Sequence, residues 1–170
     1  MALIPTPDIY GYTIFCDDIR EELGGKQSFV GCYPATMFVH VPFPATLPIF
    51  ATAVTVMQRR KAFEPNFSLC IFLPGDADDQ PSIQGKLQET NESKVAELTA
   101  AESAELHPDA QGDDFDEQYI TLNARLKFSQ LILKQPGLIK VRAIIGENTY
   151  RLGTLRVSPP PQGTVATAAT

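Results

Sequence analysis

The chain has 170 residues, of which 44% are hydrophobic and 20% are charged, values that exclude a disordered or fibrous class and suit one globular domain. Its net charge of -6 is uneven, because residues 89–117 hold ten acidic residues against one lysine, which leaves the remainder at about +3. This body lacks the dense basic face that a phosphate backbone requires, so no nucleic-acid partner is predicted.

The N-terminal half consists of short apolar runs separated by turn and breaker residues. Six such runs have the composition of β-strands and cover residues 10–16, 26–33, 36–41, 49–58, 67–73 and 82–88. Breakers between them include Gly24-Gly25 and the proline-rich residues 42–48. Every position of residues 51–57 is apolar or threonine, which predicts a strand covered on both faces in the middle of a sheet.

A charged segment joins the first two runs. Asp17 or Asp18 is predicted to cap a short helical turn, and Gly24-Gly25 is predicted to reverse the chain. Arg20 could tie carboxylates together across this corner, so that it is a structural element held by charge-assisted hydrogen bonds or, alternatively, a binding site. The candidate binding residues are Asp17, Asp18, Arg20, Glu21 and Lys26.

The same region carries a family resemblance. The run CDDIREELGGKQSFVGCY at residues 16–33, with the following apolar strands and the later PGLIKVRAIIG, resembles an uncharacterised family of small bacterial proteins of unknown function. The resemblance extends over about residues 10–157. It implies a bacterial or bacteriophage origin and transfers no chemistry.

The C-terminal half shows the clearest strands. Residues 120–128 alternate between apolar and polar side chains, which predicts a strand with one buried and one solvated face. Residues 139–145 repeat the pattern, and a turn at residues 146–148 predicts a hairpin with residues 150–157. The apolar phase shifts near Gly153, where we expect a β-bulge.

These elements predict the domain organisation. Nine short strands with hardly a helix between them exclude a doubly wound α/β fold and favour an all-β, antiparallel two-sheet sandwich, immunoglobulin-like or related. The domain is expected to span residues 1–158. Residues 89–117 form an acidic insert, as a short helix or a loop, and residues 159–170 form a flexible proline-rich tail.

Acidic loops are the candidate metal sites. Calcium binds six to eight oxygen atoms, which several loops at one end of a sandwich could supply. The alternative interpretation, which we favour, is that acidic loops are solvated and discourage edge-to-edge association. The two clusters are Asp76, Asp78 and Asp79 in one loop, and residues 113–117 at the end of the insert.

Signatures of catalysis are missing from the sequence. It has no nucleophile elbow, phosphate loop, dinucleotide fingerprint or zinc spacing, and its two histidines, His40 and His107, lie in unrelated segments. The three cysteines are predicted to be buried free thiols, since none forms a Cys-x-x-Cys pair. We therefore expect a protein that is not an enzyme and has no cofactor. The cysteines are Cys16, Cys32 and Cys70.

The predicted function is non-enzymatic interaction, either with another protein or with further copies of the chain, through strand edges and the charged corner. The alternatives are a small-molecule or calcium-binding domain that uses the acidic loops with Asp17 and Asp18, and a phage structural component. No signal peptide or anchor is recognised, and the longest apolar-rich run, residues 47–57, is shorter than the roughly 20 residues of a membrane span. A cytoplasmic protein without membrane association is expected.

Overall fold

The structure is a computed structural model that describes residues 7–64, 67–87 and 119–161. Its described residues form ten strands and one 3₁₀ helix, Arg60–Ala62, which confirms the mainly β class. Among these described residues, no helix is long and apolar enough to cross a membrane. The strands are β1 (Ile9–Cys16), β2 (Asp18–Glu21), β3 (Gln27–Val30), β4 (Thr36–Phe38), β5 (Ala45–Arg59), β6 (Phe67–Phe72), β7 (Ile83–Leu87), β8 (Tyr119–Leu133), β9 (Gly137–Ile145) and β10 (Asn148–Ser158).

These strands form three sheets. One has three antiparallel strands in the order β1-β5-β8, and another has five in the order β4-β10-β9-β6-β7. A two-stranded hairpin of β2 and β3 forms the third. The pair β4 and β10 runs parallel, an exception to the predicted antiparallel pairing. Two backbone hydrogen bonds extend this short parallel ladder. The Val39 amide donates to the Ser158 carbonyl at 2.9 Å, and the Arg156 amide donates to the Ala35 carbonyl at 3.0 Å.

Side chains of the two larger sheets share one apolar cluster. Phe50 lies at its centre, 1% exposed, with ring centroids of Phe15, Tyr33 and Phe128 at 6.3 to 6.4 Å. Burial of this apolar surface is the main contribution to folding. Further buried members from both sheets are Val54, Val56, Ala124, Leu126, Leu133, Leu69, Ile71, Ile139, Val141, Ala143, Leu152, Leu155 and Val157.

The strand β5 is covered on both faces, as its uninterrupted apolar sequence predicts. It lies between β1 and β8, and all residues from Phe50 to Val56 are buried. Alternate side chains reach opposite faces of a strand. Phe50, Val54 and Val56 therefore join the central cluster, whereas Ala51 and Ala53 belong to a second cluster beneath the β2–β3 hairpin.

The predicted break before β5 is confirmed for residues 42–44 but is wrong for residues 45–48, since β5 begins at Ala45 and contains Pro48. The β5–β8 ladder keeps one register on both sides of Pro48 but leaves out its pair with Gln130. Proline has no amide to donate, and Gln130 has a φ of 55°, which lies outside the extended range of a strand. On the N-terminal side of Pro48 only Ala45 is buried, whereas on the other side every residue from Phe50 to Val56 is buried.

The predicted C-terminal hairpin and its bulge are confirmed. β9 and β10 pair across a two-residue turn, and their register shifts between Arg151 and Gly153. At this bulge β10 lies close to β1. A Cβ atom added to Gly153 would lie only 2.8 Å from the Cβ atom of Thr13. The acidic insert, residues 89–117, lies outside the described residues, as do residues 162–170 of the predicted tail.

Candidate functional site

The charged corner is a β-hairpin. The predicted helical turn after Asp17 is wrong, because β2 is extended and pairs with β3 from Asp18 opposite Val30 to Glu21 opposite Gln27. The chain reverses at Gly24 and Gly25, as predicted, with φ of 78° and 73°. The extended conformation of β2 follows from its sequence. In a strand, Ile19 can point inward while its neighbours Asp18 and Arg20 point toward solvent.

That inward residue fixes the hairpin on the molecule. Ile19 is 2% exposed and packs with Cys16, Ala51 and Ala53. The hairpin therefore covers one end of the outer face of the three-stranded sheet. Burying an isoleucine contributes about 1.5–3 kcal/mol toward holding the hairpin against the sheet.

Ion pairs join the hairpin to β8. The Asp18 carboxylate lies 2.9 Å from the Lys127 ammonium and 3.5 Å from the Arg20 guanidinium. Glu21 lies 3.9 Å from Arg125. The hydrogen bond from Lys127 is the main cause that lowers the pKa of Asp18, so this carboxyl stays ionised at neutral pH. Arg20 contributes less to the corner than the sequence suggests, because it is 64% exposed.

The remaining predicted residues lie at the two ends of the hairpin. Asp17 accepts a hydrogen bond from the Tyr33 hydroxyl. Burial and this carboxylate both raise the pKa of Tyr33, which keeps the phenol neutral. Lys26 lies at the turn, where its carbonyl accepts a 2.8 Å hydrogen bond from the Glu22 amide. The five predicted residues thus belong to one corner but face different partners.

Three partners of the corner were missed by sequence reasoning. Lys127 and Arg125 were recognised only as the solvated face of an alternating strand, and Tyr33 only as an apolar strand residue. The alternation of apolar and polar residues along residues 120–128 indicated that Arg125 and Lys127 lie on the solvated face. It could not show that β8 lies beside a hairpin about one hundred residues earlier in the chain.

The acidic loop does not gather its carboxylates. Asp76 accepts hydrogen bonds from the Leu73 amide at 2.8 Å and from the amide and hydroxyl of Ser82 at 2.9 Å. Asp78 contacts Lys140 at 3.0 Å and Arg142 at 2.7 Å. Among the residues that the structure describes, no group of three or more histidine, cysteine, aspartate or glutamate side chains could hold a metal ion. The second cluster, residues 113–117, lies outside them.

A small hollow lies beside this loop. Its volume is about 170 Å³, below the roughly 300–1,000 Å³ of typical ligand pockets. The Arg142 guanidinium at its wall lies 4.5 Å from the centre of the Phe72 ring and is paired with Asp78. The lining residues are Cys70, Phe72, Asp78, Asp79, Pro81, Gln84, Arg142, Ile144 and Thr149.

The larger feature of the described residues is the edge of β8 that faces away from β5, called here its free edge. β8 has 15 residues, which correspond to about 50 Å of strand. It is paired with β5 on one side only, and within residues 7–64, 67–87 and 119–161 no backbone hydrogen bond reaches its other side. Unpaired edges of this length are templates for strand pairing, and proteins commonly block them with charged side chains. The two charged residues at the middle of β8 are Arg125 and Lys127, both paired with the corner.

The chain was compared with known proteins. No family model matches it. No curated protein and no solved structure matches it either. The resemblance of residues 16–33 to a bacterial family therefore stays a prediction, and the function has to be argued from the geometry.

The Asp18–Lys127 pair predicts a pH dependence of stability. The pKa of Asp18 is lower in the folded protein than the value of about 3.9 expected in the unfolded chain. The stability that this carboxylate contributes is therefore present above about pH 4 and is lost as the pH falls through the folded pKa. We expect Asp18→Asn to lower the melting temperature at pH 7 and to leave it less dependent on pH below 4.

The measurement is thermal unfolding followed by circular dichroism from about pH 7 to pH 2. Glu147→Gln, which removes an exposed carboxylate at the β9–β10 turn, is the control. A difference between the wild type and Asp18→Asn that stays constant across this pH range would contradict a stabilising role of the ionised carboxylate.

Proposed function

We propose that the chain is a non-enzymatic assembly domain that pairs with a second copy of itself along the free edge of β8. The observation that carries the proposal is the 15-residue strand whose second side has no backbone partner among the described residues. Two copies of β8 aligned antiparallel about a two-fold axis would form one six-stranded sheet, β1-β5-β8-β8-β5-β1.

A two-layer sandwich, immunoglobulin-like or related, is the fold that we propose around this edge. Support comes from the apolar cluster shared by both larger sheets and from the close approach of β1 to β10. At that approach, a Cβ atom on Gly11 would lie 2.9 Å from Leu152. In a sandwich the inner faces are buried, so strand edges and end loops are the surfaces left for partners.

Charge neutralisation favours a second copy as the partner. When a strand pairs antiparallel with itself, the basic residues at its middle meet the same residues of the other copy, and like charges directly opposite are destabilising. Asp18 and Glu21 lie beside Lys127 and Arg125 and offset these two charges. The charged corner is thus a part of the proposed interface, because it neutralises the edge that it adjoins.

Exposed apolar side chains near Pro48 and Gln130 also favour pairing along β8. Ile132 of β8 is 56% exposed, and Ile49 of the neighbouring β5 is 54% exposed. Both lie within two residues of the point where Pro48 and Gln130 interrupt the β5–β8 ladder. A second copy along β8 would remove Ile132 from water, at about 25 cal/mol for each Å² buried.

The test is sedimentation equilibrium of the purified chain over a range of concentrations. We expect a dimer in the wild type. Lysines at the two ends of the edge, Thr121→Lys with Ser129→Lys, should weaken it at least about tenfold, because edge lysines oppose strand pairing. The matched control adds the same charge to the five-stranded sheet as Gln84→Lys with Thr149→Lys, and should leave the dimer unchanged. Both control residues are exposed.

Two outcomes would contradict the proposal. One is a wild type that stays monomeric at every concentration. The other is equal weakening by the edge variant and the control variant, which would assign the association to net charge rather than to β8. Circular dichroism of both variants shows whether each keeps its β structure.

A further inference from the structure

The chain after β3 continues alongside the end of β1. The Tyr33 amide donates a hydrogen bond of 2.8 Å to the Phe15 carbonyl. The Asp17 amide donates to the Gly31 carbonyl at 3.3 Å and to the Val30 carbonyl at 2.9 Å. Between the Tyr33–Phe15 bond and the Asp17–Gly31 bond lies one residue of each of the two chain segments. The ladder is distorted here, because Gly31 has a φ of 65° and the shorter of the two Asp17 bonds goes to Val30. The two residues between the bonds still face each other, as do the members of a pair without hydrogen bonds, which in a regular antiparallel ladder have Cα atoms about 4.5 Å apart.

Those two residues are Cys16 and Cys32. The register of the hairpin agrees with this placement, because Asp18 is opposite Val30 and each cysteine lies two residues further along its segment. The regular value of about 4.5 Å lies at the short end of the range of about 4.4–6.8 Å that disulfide bonds require, so a pair spread somewhat by the distortion stays within that range.

Neighbouring aromatic residues show that both cysteines face the same side. Phe15 and Tyr33, the adjacent pair, both lie against Phe50, with ring centroids at 6.4 Å in each case. Cys16 instead belongs to the second cluster, with Ala51 beneath the hairpin, and Cys32 is exposed, so neither cysteine joins the cluster around Phe50.

Accessibility differs between the two thiols, and it corrects the prediction that all three cysteines are buried. Cys16 is buried beneath the hairpin, where its sulfur lies 3.8 Å from the Ala51 carbonyl oxygen. Burial, followed by the influence of Cys32, raises the pKa of Cys16 to about 11. Cys32 is exposed, whereas Cys70 is buried. A dissolved oxidant therefore reaches Cys32 first.

We propose that Cys16 and Cys32 are a reversible dithiol–disulfide pair that responds to peroxide. The Cys32 sulfur attacks one oxygen of hydrogen peroxide, the O–O bond breaks, water leaves and a sulfenic acid remains. The Cys16 sulfur then attacks the Cys32 sulfur, the S–S bond forms, the S–O bond breaks, and the departing hydroxide takes the Cys16 proton as water. Two thiols and one peroxide give one disulfide and two waters.

The disulfide would tie the charged corner to the three-stranded sheet. It would close a loop of residues 17–31, which contains the whole β2–β3 hairpin. Closing a loop of about 15 residues restricts the unfolded chain, and we expect the melting temperature to rise by about 6–12 °C. This inference does not depend on pairing through β8.

The test is intact-mass measurement of the reduced, full-length chain before and after hydrogen peroxide treatment. We expect a loss of two hydrogen atoms, about 2 Da, that dithiothreitol reverses. Proteolytic peptides should be linked between Cys16 and Cys32. Cys70→Ser should behave as the wild type, and Cys32→Ser should show no loss. Cys32 is exposed, so this variant does not disturb the core.

Two results would overturn the inference. One is stepwise addition of oxygen atoms, about 16 Da each, at Cys32 with no linkage to Cys16. The other is a disulfide between the Cys32 residues of two chains as the sole product.

Discussion

Phe50→Ala is expected to lower the free energy of unfolding by about 3–5 kcal/mol, the cost typical of removing a large side chain from a packed core. Phe50 is 1% exposed, and its ring is surrounded by those of Phe15, Tyr33 and Phe128. Alanine would leave a cavity where the two larger sheets share their apolar cluster. Urea denaturation followed by circular dichroism measures this change.

Two further variants make that result specific. Phe50→Leu should cost less than Phe50→Ala, because more of the volume stays filled. Phe38→Ala in β4 should cost about 1 kcal/mol or less, since Phe38 is 49% exposed. If Phe38→Ala destabilised the protein as much as Phe50→Ala, this would contradict the position of Phe50 at the centre of the apolar cluster.

Gly11→Ala is expected to destabilise the protein by about 3 kcal/mol, at the upper end of the cost of overpacking. An added Cβ atom would overlap the backbone oxygen of Thr55 and would lie 2.9 Å from a Leu152 methyl group. A backbone atom in a ladder cannot turn away as a flexible side chain does, so β1 would have to move away from β5. The melting temperature measures the effect.

Gly24→Ala is the matched control for this substitution. Nothing lies within 4 Å of a Cβ atom there, but the φ of 78° opposes any L side chain. That strain costs about 1–2 kcal/mol. The two glycines therefore separate steric overlap from backbone strain, and equal losses at both would contradict the close contact of β1 with β5.

Much of the fold could be predicted because it depends on local alternation. The apolar run of residues 51–57 identified a strand covered on both faces, and the phase shift near Gly153 identified a bulge. Pro48 was misread, because its missing amide is tolerated where the opposite residue, Gln130, leaves the ladder. That pairing joins residues far apart in sequence, and no local pattern contains it.

The candidate site was predictable only in part, for the same reason. Composition identified the charged corner, and Gly24-Gly25 identified its turn. The ion pairs of Asp18 with Lys127 and of Glu21 with Arg125 depend on how the hairpin lies against β8. Tertiary packing sets that position, and it also makes Asp18–Glu21 a strand instead of a helical turn.

Hydrogen–deuterium exchange of the β8 backbone at low and high protein concentration is the most direct test of pairing through its free edge. Amides along a strand point alternately to its two sides. If β8 pairs with a second copy, alternate amides between Thr121 and Leu133, those turned away from β5, exchange quickly in dilute protein and slowly in concentrated protein. Exchange rates that do not change with protein concentration at any β8 amide would contradict pairing through β8.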